Sequence, residues 1–518
     1  MKRNTHRLIT GIYLLPLIFV NMSCAQEKSP PNIIFIVTDD QERWEFNFLQ
    51  EGRYEDGRPK NLSPNIDRLA EEGIIFDQCY VTTSVCTPSR YSILTGQYAS
   101  RALNKSYLEE TEKHGQANVA WNVRITPEVG TIARILREEG YFTGGVGKNH
   151  VMEARHPHRI PRYADPRDPV IRKQLADNQE AQINAYHEAG FDFAASIYSG
   201  NLPTSYPLAL EHHNMDWIVM GALEFLEQAA TREKPFFLYF ATTLNHGPHR
   251  MGTKYLGDPL ATATGFLDQP PGVMPARETI KQRIEEAELK EEAADVLWLD
   301  DGIGALLKRL ENMGALGNTI IFFIDDHGVE SGKGSLYQGG ILTPAFVWGP
   351  SYFKSGLRTS QVVANIDFVP TVLELSGIRN GDRFRFDGTS FLPLLLGDDN
   401  PVHSSLLFEI GATRAVIKGN YKYLAFRIPE SRAVMASGSD LPMTHICDSP
   451  GGRGSEKPAI AFYPNYFDRD QLYDIGNDPY EQINLAGDPE YKAALEDMKT
   501  ELQIHLRDLP GGFGEFKE

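Results

Sequence analysis

The stretch NIIFIVTDDQ, residues 32–41, decides the fold. Five apolar residues, Ile33 to Val37, follow one another without polar alternation, and two aspartates, Asp39 and Asp40, close the run. A strand with one wet face alternates polar and apolar residues, whereas a strand covered on both faces does not. Two more runs share this character: FFLYFAT (236–242) and TIIFFID (319–325). Helical patterns lie between them. SPNIDRLAEEG (63–73) starts at a serine cap and ends at a glycine. TPEVGTIARILREEG (126–140) reads the same way, with Pro127 in the first turn. ADVLWLDDGIGALLKRLENMG (294–314) is long and amphipathic. Buried strands alternating with helices predict an α/β fold, a large and mostly parallel sheet sandwiched by helices.

Residues 151–215 break this rhythm. They are rich in Arg, His, Pro, Tyr and Asp, their periodicity is poor, and they read as long loops over the active-site face. After DGTSFLPLLLGDDNP (387–401) the character changes again. Short strands, a hairpin at Gly419-Asn420 and a terminal helix predict a smaller α+β domain over residues 400–518, after a catalytic domain over 30–399. No internal repeats occur.

The 518 residues carry a formal net charge of −18. That charge disfavours nonspecific binding to nucleic acid or anionic membranes, so an anionic substrate needs local attraction. Residues 1–24 form an export signal, with a basic MKRNTHR, an apolar LITGIYLLPLIFV and small residues near Cys24. Two readings stay open: a signal cut near Ala25, or a lipoprotein acylated on Cys24 and attached to a membrane. Either way the chain is exported, to the periplasm or cell surface. Four cysteines occur, Cys24, Cys79, Cys86 and Cys447. Cys79 and Cys447 pair or, the favoured reading, stay buried as small hydrophobes.

Ligands gather at the carboxyl ends of strands in open α/β sheets. Asp39-Asp40 and Asp325-Asp326-His327 end two predicted core strands. Adjacent carboxylates repel, so such pairs invite a cation. GVGKNH places Lys148 and His150 two apart, on one face of an extended segment, for anion binding and proton movement. ESGKGSLYQGG sets Lys333 in a glycine-rich loop, and TTLNHGPHR offers His246 or His249.

Together with Cys86-Thr87-Pro88-Ser89-Arg90 and the following SILTG, these residues resemble the type I sulfatases of the alkaline phosphatase-like superfamily. The resemblance runs from PNIIFIVTDD through YFTGGVGKNH and DDHGVESGKGSLYQGG to QLYDIGNDPYEQINLA. It implies that a separate maturation enzyme oxidises Cys86 to Cα-formylglycine (3-oxoalanine). It implies a Ca2+ site made of Asp39, Asp40, Asp326, His327 and the modified residue 86. It implies that Arg90 holds residue 86, that Lys148 and Lys333 bind sulfate, and that His150 and His246 handle protons. His246 is preferred to His249 by its distance from the strand FFLYFATT. Where the family often has Trp, Glu, Arg and Pro, this chain has Asn149, Gln338, Leu342 and Asn245.

The implied activity is hydrolysis of a sulfuric ester, with a sulfated glycan as substrate. Arg155, His156, His158, Arg159, Arg162 and Tyr163 are candidates for a sugar subsite. Two other readings are a phosphodiester or phosphonate monoester hydrolase with the same nucleophile, and a catalytically silent glycan-binding surface lipoprotein.

Overall fold

The computed structural model describes residues 30–379 and 383–516. Residues 1–24, read above as an export signal, and Cys24 among them lie outside the described residues. Among the described residues no helix is long and apolar enough to cross a membrane.

Fifteen strands are described. In chain order they are β1 (Asn32–Asp39), β2 (Ile74–Tyr80), β3 (Phe142–Lys148), β4 (Phe193–Tyr198) and β5 (Phe236–Asn245). Next come the short pair β6 (Ala261–Thr262) and β7 (Gly265–Phe266), then β8 (Thr319–Asp325), β9 (Leu342–Trp348), β10 (Leu357–Thr359) and β11 (Val363–Ala364). The last four are β12 (Leu406–Ile410), β13 (Thr413–Lys418), β14 (Tyr421–Phe426) and β15 (Asp470–Asp474). The main sheet runs β10-β2-β9-β8-β1-β5-β3-β4, with β11 also on β2. All its pairings are parallel except those of β9, which is antiparallel to β2 and β8.

The three strands legible in the sequence are the three central ones. Ile33 of β1 stands opposite Phe237 of β5 and Ile320 of β8. Ile33, Phe35 and Val37 enter one apolar cluster and Ile34 and Ile36 the other. That two-sided burial is why the run shows no polar alternation. Ile93 and Leu94 of the helix Cys86–Thr95 cover the first face. Leu297 and Trp298 of the helix Ala293–Asn312 and Ile218 of the helix Met215–Ala230 cover the second.

β3 was visible only as the extended GVGK. Its FTGGVGK has too few large side chains to read as a core strand, and the packing explains why. A Cβ on Gly144 would lie 2.3 Å from the Phe225 ring, and one on Gly145 would lie 2.3 Å from that of Tyr186. Aromatic rings from the flanking helices press directly on the strand backbone, a close approach that glycine allows.

Residues 151–215 are more ordered than the loop reading expected. They contain the helix Pro169–Glu188 and strand β4. Asp168 caps that helix by accepting from the Val170 amide at 2.7 Å, and Pro169 opens it. Only Leu175, Gln182, Ala185 and Tyr186 are buried along its length, so apolar periodicity is faint. The helix read over 126–140 starts later than expected, at Ile132, with the Thr131 side chain accepting from the Arg134 amide. Pro127 lies before it, in a turn closed by the Val129 amide on Thr126.

The smaller antiparallel sheet, β12-β13-β14-β15, turns at Gly419-Asn420 as expected. The helix Lys492–Leu506 buries Leu495, Met498 and Leu502 against it. Phe408 and Val416 join the same apolar cluster as Ile33, so the two sheets share one core. Cys79 and Cys447 are free and buried.

His403 ties the link between the sheets to the turn that starts the helix Phe368–Leu375. Its Nε2 lies 2.7 Å from Asp367 Oδ2, which also accepts from the Ala364 amide. Burial opposes the charged imidazole, but the Asp367 carboxylate more than offsets it and raises the His403 pKa above 6.5. A raised folded-state pKa contributes stability that is full below the unfolded value and is lost as pH rises through the folded one. The melting temperature of the native chain should therefore drop more between pH 6 and pH 8.5 than that of His403→Gln. Parallel melting curves over that range would contradict this assignment.

Candidate active site

The carboxyl ends of β1, β3, β5 and β8 converge where the sequence set its acidic pairs and lysines. Asp39 is the last residue of β1, and Asp40 follows with φ +56°. His150 also has a positive φ, +57°. Left-handed backbone at non-glycine residues is uncommon, and here it turns two site residues away from their strand directions. The shared face read for Lys148 and His150 ends with β3 at Lys148; the turn at His150, not the pleat, directs the histidine.

Asp40, Cys86, Asp326 and His327 offer ligand atoms that all lie within 4.8 Å of one another. Cys86 opens the helix Cys86–Thr95, with its Sγ 3.4 Å from His327 Nε2. His327 Nε2 is also 3.1 Å from Asp40 Oδ1. Asp39 is not in this group of four. Its carboxylate accepts from Lys148 Nζ at 2.6 and 2.7 Å and from Arg90 at 3.2 Å. Arg90, fully buried, also donates to Asp326 at 2.9 Å. Lys333 Nζ donates to both oxygens of Asp40 at 2.6 Å.

Burial alone would raise the Asp39 and Asp40 carboxyls, but their cationic neighbours win. Lys148, His246 and Arg90 hold Asp39 well below the usual carboxylate range, and Lys333, His246 and His327 do so for Asp40. Burial pushes the His150 ring well below its ordinary value, and the Lys148 charge adds to it, so His150 is neutral near pH 7. Its Nδ1 is buried without a partner.

His246 Nε2 lies 3.4 Å from Asp40 Oδ2. His249 instead bonds the Glu211 carbonyl at 2.7 Å and stacks on His212. Geometry thus brings His246, and not His249, to the cluster.

The donor set suits a hard divalent cation. Asp39, Asp40, Asp325 and Asp326 crowd four carboxyls at the end of two adjacent strands, and oxygen ligands are what such a cation takes. His327 is the one nitrogen donor. Asp325, outside the sequence-based ligand set, ties the strands together: it accepts from Thr38 Oγ1 at 2.7 Å and from the Gln41 amide at 3.3 Å. Tyr239, 3.4 Å from Arg90, sits in mid-strand and had no sequence signal.

A cavity of about 880 Å³ opens beside His150. Five of the six residues read as a sugar subsite line it, Arg155, His156, His158, Arg159 and Arg162. Tyr163 does not, and its side chain points to solvent, 83 % exposed.

Fold and site define a hydrolase of anionic esters that works at the carboxyl edge of a mostly parallel sheet. The chain belongs to the sulfatase family, whose model, Sulfatase, matches residues 31–378. It is a sulfuric ester hydrolase. Arylsulfatase A of Bos taurus is 26% identical over 507 residues, covering 92% of this chain and 87% of that protein. N-acetylgalactosamine-6-sulfatase of Mus musculus is 23% identical over 534 residues, covering 96% and 90%. Among solved structures, one bound to its substrate D-glucosamine-2-N,6-O-disulfate superposes with a TM-score of 0.57 at 19% identity, covering 92% of this chain and 98% of that one.

Proposed function

We propose that this sulfatase removes sulfate from a sulfated carbohydrate, using a formylglycine made from Cys86 and a Ca2+ ion held by Asp39, Asp40, Asp326, His327 and residue 86. The observation that carries this reading is the Cys86 Sγ within 4.8 Å of Asp40, Asp326 and His327, flanked by two lysines. The relatives named for sulfated sugars supply the carbohydrate part of the reading.

All ten residues of the helix Cys86–Thr95 are buried. A maturation enzyme that reads Cys86 through Arg90 therefore acts before the chain folds. Export through the N-terminal signal, with or without a lipid on Cys24, completes the proposal.

The formylglycine hydrate supplies a nucleophile with a second hydroxyl for product release, and Ca2+ supplies positive charge at the ester oxygens. Lys148 and Lys333 draw negative charge from the sulfate oxygens, most strongly as it builds in the transition state. They already sit against anionic oxygens, those of Asp39 and Asp40. Arg90 is locked between Asp39 and Asp326 and positions the start of the helix that bears residue 86. His246 holds the proton for the departing sugar oxygen. Burial lowers its pKa, with Asp40 opposing, and an anionic substrate beside it shifts it back toward the protonated form. His150, neutral, accepts a proton at a ring nitrogen.

The test is sulfate release from defined sulfated oligosaccharides, run beside an aryl phosphonate monoester. Sulfate released from sugars, with turnover lost on chelation and restored by Ca2+, supports the proposal. Faster cleavage of the phosphonate would replace it with the phosphonate hydrolase reading. His246→Ala should lower kcat on sugar sulfates by roughly 100- to 10,000-fold, the usual worth of a general acid. An aryl sulfate, with its better leaving group, should lose less, and His249→Ala should stay within a few fold. Equal losses for both variants would exclude His246 as the proton donor.

A further inference from the structure

The cavity beside His150 is basic in a chain whose net charge is −18. Four arginines line it, Arg124, Arg155, Arg159 and Arg162, against a single carboxylate, Glu153. Arg162 is neutralised by Glu211, to which both its terminal nitrogens donate. Among the described residues no carboxylate forms an ion pair with Arg124, Arg155 or Arg159. Arg124 is partly buried and donates one terminal nitrogen to the carbonyls of Trp121 and Val123 at 2.6 Å each. Burial lowers its pKa, and Glu153 is the one charge opposing that shift.

Clustered arginines without counter-charge repel one another and cost stability unless an anion joins them. The sulfate being cleaved does not answer this need, because the lysines proposed to bind it, Lys148 and Lys333, do not line the cavity and sit against Asp39 and Asp40. A volume of about 880 Å³ has room for more than one sugar ring. Much of the remaining wall is polar and suits a glycan, with Ser199, Asn201 and Thr204 adding amide and hydroxyl groups beside apolar Met152 and Ile160.

We infer that this cavity is a second anion subsite, and that the substrate is an oligosaccharide bearing a further carboxylate or sulfate next to the sulfate that is removed. The inference rests on the sulfatase reading above for which group is cleaved. Arg155 and Arg159 hold the second anion from the exposed rim and Arg124 holds it from the partly buried wall. Guanidinium groups recognise carboxylate and sulfate oxygens in pairs, and each such bond is charge-assisted. Recognition of this kind determines which sugar sulfate binds and leaves the chemistry at residue 86 unchanged.

The test measures binding and turnover separately. Three disaccharides that share one cleavable sulfate serve as probes: one also carries a uronic acid, one has that carboxyl reduced to the alcohol, and one has a second sulfate in place of the carboxylate. Binding is read by calorimetry on the full-length Cys86→Ala chain, so it does not depend on maturation or sulfate release. A probe with a second anion should bind at least about tenfold more tightly than the carboxyl-reduced one, the worth of one charge-assisted hydrogen bond. The uronate and disulfate arms show which anion the cavity takes. That preference should weaken with added salt and fall towards one in a chain that also carries Arg155→Ala and Arg159→Ala. Lysine at both positions should restore part of it, which a loss of fold would not. In the matured enzyme the same pair of alanine substitutions should raise KM for the charged substrate with little change in kcat. Equal binding of probes with and without the second anion, or a preference untouched by the arginine substitutions, overturns the inference while leaving the sulfatase reading intact. Failure of every probe to release sulfate from matured enzyme counts against the carbohydrate reading, and the calorimetry still decides the subsite.

Discussion

Cys86→Ala should reduce sulfate release by on the order of 10,000-fold or more, because it removes the side chain from which the proposed nucleophile is made. Few substitutions separate chemistry from stability as cleanly here. The Cys86 side chain is small, fully buried and at the start of a helix whose fold rests on Ile93 and Leu94 against the sheet. Alanine is a good helix former and leaves only a sulfur-sized gap, so the melting temperature should change little. The corresponding mass measurement is made on the peptide spanning residues 81–101 of the expressed chain. Conversion of cysteine to formylglycine lowers its mass by roughly 18 Da. Cys86→Ser made in a host whose maturation enzyme reads only cysteine should also be inactive, since an unoxidised hydroxyl lacks the second hydroxyl needed for release. Full turnover by Cys86→Ala would refute the mechanism outright. Full turnover by chain that retains an unmodified Cys86 would refute the formylglycine part alone.

Arg90→Met has the second large effect, on stability as well as turnover. The guanidinium is completely buried and bonds Asp326 at 2.9 Å, Asp39 at 3.2 Å, and the Thr38 carbonyl and Tyr239 hydroxyl at 3.4 Å each. Methionine fills comparable space and carries no charge, so Asp39 and Asp326 lose a shared counter-ion in a dry site. Breaking a buried ion pair from one side costs about 3–5 kcal/mol, mostly as an uncompensated charge. Urea unfolding in the presence of a chelator should show a loss of that order. Saturating Ca2+ should recover more stability in Arg90→Met than in the native chain, because the cation then relieves carboxylates that Arg90 no longer serves. A loss below about 1 kcal/mol in chelator would mean that the carboxyls are protonated or paired elsewhere. Equal Ca2+ stabilisation of both chains would mean that the acidic cluster does not hold the cation.

The two substitutions probe different parts of one design. Asp39, Asp40, Asp325 and Asp326 are costly neighbours, and the fold accommodates them by setting Arg90, Lys148, Lys333 and His327 among them. The same lysines that quiet those carboxylates are the ones the proposed mechanism sets against a sulfate ester. The positive φ at Asp40 and His150 belongs to this arrangement, since both residues turn off their strands into the site.

Much of this was written in the linear chain. Two-sided burial leaves an unmistakable pattern, so β1, β5 and β8 were legible as uninterrupted apolar runs, and they proved to be the sheet's centre. Charged residues placed just after such runs fall at the strands' carboxyl ends by geometry alone, which is why Asp39, Asp40, Asp326 and His327 could be named, whereas Lys148 was named from the extended GVGKNH. The short motif around Cys86 supplied the rest. Tertiary structure decided what depends on distant partners. Gly144 and Gly145 mark a core strand only once Phe225 and Tyr186 are seen resting on it. The helix Pro169–Glu188 was hidden because it buries too few residues to print a period. Packing sets His246 beside Asp40 and His249 against the Glu211 carbonyl, in line with the preference that the spacing from FFLYFATT gave. Asp325 and Tyr239 gained their roles the same way. The basic wall of the cavity lay in the sequence as scattered arginines. Its excess of positive charge exists only where the fold supplies Glu211 to Arg162 and no carboxylate to Arg124, Arg155 or Arg159, because charge balance is a property of neighbours in space.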